Sequence, residues 1–93
     1  MPDARLAEVL SSIGANVRRI RLKRGMTQQE LADAAEIALG FLQKVERAKT
    51  NVGVAVLVRL ADVLGVRPGV LFRQRELPAV KRGRPRKARL RAQ

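Results

Sequence analysis

Apolar side chains return along the chain at spacings of three and four, and the first stripe is Leu6, Val9, Leu10, Ile13, Val17 and Ile20. That period puts them on one face of a helix, predicted over residues 3–24 with Asp3 capping its start. Ser11, Ser12 and Gly14 weaken its middle, so a break there, with a short helix ahead of the main one, is the alternative. Lys23, Arg24 and Gly25 form the stop. Cations suit the negative end of the helix dipole, and glycine tolerates a left-handed turn.

Thr27-Gln28-Gln29-Glu30 then has the pattern of a capping box. The Thr27 hydroxyl takes the Glu30 amide, and the Glu30 carboxylate returns to the Thr27 amide. With Met26 and Leu31 at the flanking staple positions, a second helix is predicted over residues 28–35. After a tight turn near Glu36, residues 38–47 read as a third helix, with Phe41, Leu42 and Val45 inward and Gln43, Lys44 and Arg47 outward. Asn51 or Gly53 opens a fourth helix whose Val54, Leu57, Val58, Ala61 and Leu64 face the core, and Gly65 ends it. Pro68 begins a last turn holding Val70, Leu71 and Phe72. Beyond Arg73 the periodicity fades: Leu77, Pro78, Ala79 and Val80 read as a linker, and Lys81 onward as an extended basic arm. The division expected is an N-terminal helical extension (1–11), a helical domain (12–76), and a linker with a basic tail (77–93).

Composition narrows the class. A chain of 93 residues has room for one domain with a modest core. Hydrophobic residues make up 46% of it, yet Phe41 and Phe72 are the sole aromatics, so Leu, Val, Ile and Ala must build the core, which suits an all-α class. Without Cys or His, disulfides, thiolate chemistry, imidazole bases and the usual zinc sites are excluded. No nucleophile–base constellation or metal-binding carboxylate cluster is legible either. The reading is a protein that is not an enzyme, with no cofactor and no small-molecule ligand evident. The first five residues lack the basic-then-apolar order of a secretory signal. The longest apolar stretch, residues 52–58, falls far short of the roughly 18 residues needed to span a bilayer, so no membrane partner is expected. A cytoplasmic, nucleoid-associated location follows as the expectation.

Charge supplies the first functional clue. The 20 Lys and Arg against 8 Asp and Glu give +12, unevenly spread: residues 1–80 carry 13 basic and 8 acidic side chains, residues 81–93 carry 7 basic and no acidic ones. A polyanion is the implied partner. Nucleic acid comes ahead of an anionic membrane, because Gly83 and Pro85 sit where an amphipathic basic helix would have to form.

Three separated blocks then agree in residue type and spacing. They are Arg21-x3-Gly25-Met26-Thr27-Gln28-Gln29-Glu30-Leu31-Ala32, Phe41-Leu42-x2-Val45-Glu46-Arg47, and Leu57-x2-Leu60-Ala61-x2-Leu64-Gly65-Val66. In them the chain resembles the Cro/phage-repressor (XRE) family of helix-turn-helix DNA-binding domains, over about residues 12–72. The resemblance implies a compact five-helix, lambda-repressor-like domain whose third helix enters the major groove of double-stranded DNA. Side chains pointing outward early in that helix can distinguish all four base pairs. The Gln43 amide suits adenine and the Lys44 ammonium suits guanine; Leu39 can touch a thymine methyl, Gly40 admits a close backbone, and Ala38 and Arg47 complete the major-groove set. A plain solvated helix face is the other reading of Gln43 and Lys44. The resemblance also implies phosphate contact by Gln28 at the positive end of the second helix, with Thr27 and Lys49 beside it; the alternative for Gln28 is an ordinary first-turn residue. Arg21 and Glu46 match the family's buried ion pair between the first and third helices. Glu36 and Ala48 depart from the pattern, standing where relatives often have glycine, at a cost of up to about 1 kcal/mol or more each if the left-handed backbone is kept. Ala38 and Leu39 lack hydrogen-bonding side chains, which thins base readout.

Lys81-Arg82-Gly83-Arg84-Pro85-Arg86-Lys87 resembles an AT-hook, whose core is Arg-Gly-Arg-Pro. Gly83 would let the backbone lie deep in a narrow groove and Pro85 keeps the chain extended. Arg82 and Arg84, with Arg86 beside them, would line a minor groove that A·T pairs leave free of the guanine amino group and more negative. The alternative is an arm that binds any duplex by counterion release. Two functions are therefore carried forward. One is a sequence-specific transcriptional regulator, a repressor type by resemblance. It would be a homodimer on a palindromic, A·T-flanked site, paired through Val66, Val70, Leu71 and Phe72 or through the first ten residues. The other is an architectural, nucleoid-associated protein with low sequence preference. RNA or single strands are disfavoured, since two buried Phe would offer no stacking platform.

Overall fold

The first hydrophobic stripe builds the central helix. In the computed structural model, which describes residues 4–75, α1 runs Ala4–Lys23 without a break. Leu10, Ile13, Val17 and Ile20 are buried, whereas Leu6 is 36% exposed. Gly14 does not interrupt the helix. A Cβ at that position would stand 2.6 Å from the Val45 carbonyl oxygen and 2.9 Å from that of Glu46, so glycine is what lets the end of the third helix rest on α1.

The other helices are α2 (Gln28–Ala35), α3 (Leu39–Glu46) and α4 (Val54–Leu64). Both halves of the capping box form at α2: the Glu30 amide donates to Thr27 Oγ at 3.0 Å, and the Thr27 amide donates to Glu30 Oε1 at 2.8 Å. α3 is one residue shorter at each end than its periodicity predicts, because Ala38 and Arg47 are its caps. Leu31, Ala32, Leu42, Val45, Leu57, Leu60, Ala61 and Leu64 close over the α1 stripe to make the core.

Two expectations for α4 are corrected. Val54 is 74% and Val58 40% exposed, and the inward face is Leu57, Leu60, Ala61 and Leu64. The segment is apolar almost all round, so periodicity alone does not fix its rotation. Packing places the leucines, with their larger apolar area, inside.

Among the described residues there are four α-helices rather than five. The expected last helix is a single 3-10 helix, η1 (Pro68–Phe72). Its continuation as an α-helix would need the Arg75 amide to reach the Leu71 carbonyl. Both groups are engaged by α1 instead: Asn16 Nδ2 donates to the Leu71 carbonyl at 3.0 Å, and the Arg75 amide donates to Ser12 Oγ at 3.1 Å. Leu71 is fully buried, so it cannot serve the pairing surface expected of it. Phe72 is 49% exposed and Phe41 half-buried, against the expectation that both are buried.

Four helix ends share one geometry. After a left-handed residue the next amide reaches back five residues: Met26 to Arg21, Ile37 to Ala32, Lys49 to Lys44 and Val66 to Ala61, at 2.8–3.0 Å. Gly25 and Gly65 supply two of these turns (φ 71° and 73°), but Glu36 and Ala48 supply the others at φ 60°. The sequence departs from glycine there and the backbone does not.

Candidate nucleic-acid interface

The interface begins with a buried charge. Arg21 on α1 and Glu46 at the end of α3 are 6% and 4% exposed. Arg21 Nε donates to Glu46 Oε2 at 2.7 Å and Nη2 donates to Oε1 at 3.0 Å, while Nη1 donates to the Met26 carbonyl at 2.8 Å. A two-pronged guanidinium–carboxylate contact fixes angle as well as distance. With Gly14 it sets how α3 sits across α1.

From this pair a polar chain runs outward. Gln28 Nε2, in the first turn of α2, donates to Glu46 Oε1 at 3.0 Å, and Gln43 Nε2 donates to Gln28 Oε1 at 3.4 Å. The carboxylate dictates the orientation. It accepts only, so Gln28 turns its NH2 inward and its oxygen toward Gln43, which must then answer with its own NH2. Each amide carries two N–H donors and one carbonyl oxygen. One N–H and the carbonyl oxygen of Gln43 therefore stay available, the pair that a bidentate contact to adenine requires.

Around this chain stand the other residues singled out from the sequence. Ala38, Gly40, Lys44 and Arg47 on or beside α3 are exposed, as are Thr27 at the start of α2 and Lys49 after α3, and Leu39 is half-buried. Among the described residues Arg21–Glu46 is the one ion pair, so no described carboxylate pairs with Lys44, Arg47 or Lys49. Gln28 is half-buried and already engaged at Glu46, a coupling its position in the sequence did not suggest. Arg82, Gly83, Arg84, Pro85 and Arg86, like Asp3, lie outside the described residues.

Sequence reasoning missed three residues that organise the frame. Asn16 is fully buried and holds the C-terminal segment through the carbonyls of Leu71 and Arg73, at 3.0 and 2.8 Å. Arg75 answers with its Nε on Asn16 Oδ1 at 3.0 Å. Arg59 on α4 donates to the Ala35 carbonyl at 3.0 Å, serving the C-terminal end of α2. A signal existed for Asn16 alone: it falls three residues after Ile13 and four before Ile20, a polar group within the apolar stripe.

A capped helix, a left-handed turn and a second helix bearing polar groups on an exposed face define a helix-turn-helix unit. Residues 17–71 match the helix-turn-helix family HTH_3, and the chain belongs to this XRE-type family of transcription regulators, which is not a family of enzymes. It is 39% identical over 54 residues to the HTH-type transcriptional regulator RamB of Mycobacterium tuberculosis; the match takes in 58% of this chain and 11% of RamB. Among solved structures, the restriction-modification controller protein C.AhdI from Aeromonas hydrophila superposes with a TM-score of 0.66 at 30% identity, over 68% of this chain and 96% of that one. The master regulator for biofilm formation SinR, solved in complex with DNA, superposes with a TM-score of 0.61 at 32% identity, over 63% and 95%. Among the described residues no helix is long and apolar enough to cross a membrane.

Proposed function

We propose that the protein is a transcriptional regulator that binds double-stranded DNA with sequence preference, lying across the major groove with α3. The observation that carries this reading is the polar chain from Arg21 and Glu46 through Gln28 to Gln43, which holds a base-reading amide at a fixed height above a buried support. Gln43 addresses adenine, Lys44 and Arg47 address guanine or the adjacent backbone, and Ala38, Leu39 and Gly40 make the close apolar approach. Thr27, the remaining N–H of Gln28, and Lys49 take phosphates and set the register. Arg82, Gly83, Arg84, Pro85 and Arg86 occupy a neighbouring A·T-rich minor groove, which adds affinity by raising the effective concentration of α3 at its site. One domain offers little contact surface, so two copies on a palindromic site complete the reading.

Selection of bound sequences from a random duplex pool, using the full chain, tests it. The expected result is an enriched motif with two-fold symmetry. In the Gln43→Ala variant, discrimination at one base-pair position in each half should fall by about 1–3 kcal/mol. A pool that stays random while binding remains strong at low salt would instead favour an architectural protein driven by the charge of residues 81–93.

A further inference from the structure

The buried carboxylate of Glu46 is held on both oxygens. Oε2 takes Arg21 Nε at 2.7 Å, and Oε1 takes both Arg21 Nη2 and Gln28 Nε2 at 3.0 Å. At 4% exposure, and gripped by a two-pronged guanidinium, it cannot turn away from Gln28. We infer that Gln28 determines which base α3 prefers, without reading a base itself, by fixing the way the Gln43 amide faces. The inference rests on the DNA-binding reading above and adds to it a residue that sets specificity from behind the reading side chain.

Donors and acceptors carry the argument. Flipping the Gln28 amide would set its carbonyl oxygen against a buried carboxylate oxygen, two acceptors with no proton between them. Gln28 therefore keeps its NH2 on Glu46 and offers Oε1 to Gln43, whose Nε2 lies 3.4 Å away. Gln43 commits one N–H there and presents the other N–H beside its carbonyl oxygen. That pair meets N7 and the N6–H of adenine. Against guanine the same carbonyl oxygen would face O6, acceptor to acceptor, so the preset amide rejects guanine as well as selecting adenine.

The converse holds when position 28 can only donate. In Gln28→Lys the side chain has three N–H groups and no acceptor. It can keep Glu46 as its partner, but it can meet Gln43 only at Oε1, which turns the Gln43 NH2 outward with both N–H groups free. Two donors match O6 and N7 of guanine and oppose the N6–H of adenine. Replacing a residue that reads no base thus inverts the base read by its neighbour.

The test uses the full chain as wild type, Gln28→Lys, Gln43→Ala and the double variant. Bound sequences are selected from a random duplex pool, and duplexes differing at the one base pair whose preference Gln43→Ala abolishes then compete at a single salt concentration. Only ratios between duplexes are read, so the added charge of the lysine, which strengthens all complexes alike, cancels. Wild type is expected to favour adenine over guanine there by about tenfold, and Gln28→Lys to favour guanine by about the same factor. The double variant should bind the two duplexes equally. Adenine retained in Gln28→Lys overturns the inference while leaving base reading by α3 intact. Guanine retained in the double variant means that the lysine reads the base itself, which overturns it too. A wild-type pool with no enriched motif would sink the DNA-binding reading, and the inference with it. NMR of wild-type protein without DNA checks the orientation independently of any variant's folding. Nuclear Overhauser contacts are expected from the Gln28 NH2 protons to Glu46 and from the Gln43 NH2 protons to Gln28; Gln28 NH2 protons found against Gln43 instead overturn the inference with no DNA present.

Discussion

Glu36 and Ala48 hold backbone that would suit glycine, one in the turn between α2 and α3 and the other at the end of α3. The left-handed conformation costs a side-chain-bearing residue about 1–2 kcal/mol, and glycine gives back part of that through its freer unfolded chain. Ala48→Gly and Glu36→Gly are each expected to stabilise the fold by about 0.5–1 kcal/mol, a rise in Tm of several degrees. Thermal unfolding followed by circular dichroism checks this, and a lowered Tm in both would refute it. Gly14 is the opposite case. Gly14→Ala drives a methyl onto two backbone carbonyls that cannot swing away, and a loss of about 1–3 kcal/mol is expected.

The ion pair is a matter of residues acting as a unit. Glu46→Leu leaves the Arg21 guanidinium buried without a counter-charge, a loss of about 3–5 kcal/mol, and Arg21→Met does the same to Glu46. The double replacement removes both charges. It should be less destabilised than the sum of the singles, which a double-mutant cycle in urea measures. Its DNA affinity should stay low even where its stability recovers, because Gln28 then has no carboxylate to orient it.

At the scale of elements, α1 is a spine with two working sides. Gly14 and Arg21 seat α3 on one, while Ser12 and Asn16 hold the segment after η1 on the other. Asn16→Ala orphans the carbonyls of Leu71 and Arg73 and removes the partner of the Arg75 guanidinium, while the Arg75 amide keeps Ser12. A cost of about 1–3 kcal/mol is expected, with amide exchange accelerated at Arg73 and Arg75 more than in α2 or α3. Uniform acceleration across all helices would mean that Asn16 supports the whole core and not that segment in particular.

At the scale of the whole molecule, charge and shape separate into two measurable quantities. Each phosphate neutralised contributes about −0.9 to the slope of log affinity against log salt. Arg82→Ala with Arg84→Ala should therefore flatten the slope by about 2 while leaving the preferred sequence at the centre of the site unchanged. Gln43→Ala should do the reverse. If the tail variant altered the central preference, the division of labour between arm and helix would be wrong.

Much of the fold was legible because local chemistry wrote it. The stripe from Leu10 to Ile20, the Thr27–Glu30 box and the stops at Gly25 and Gly65 each concern neighbours in sequence, and all appear in the structure. Arg21 and Glu46 were found through a family pattern, since nothing in 25 residues of separation announces a pair.

What sequence determined by itself was thus the existence of α1 to α4, the capping box of α2, the glycine stops after α1 and α4, and the excess of positive charge, all but the last set by interactions within a few residues. Tertiary structure alone decided that Val54 and Val58 face outward, that the last helix stops at one 3-10 turn, and that Gln28 hands its orientation to Gln43. Each of these depends on which distant group arrives to take a hydrogen bond or cover an apolar surface, and one-dimensional periodicity carries no information about arrivals from another helix.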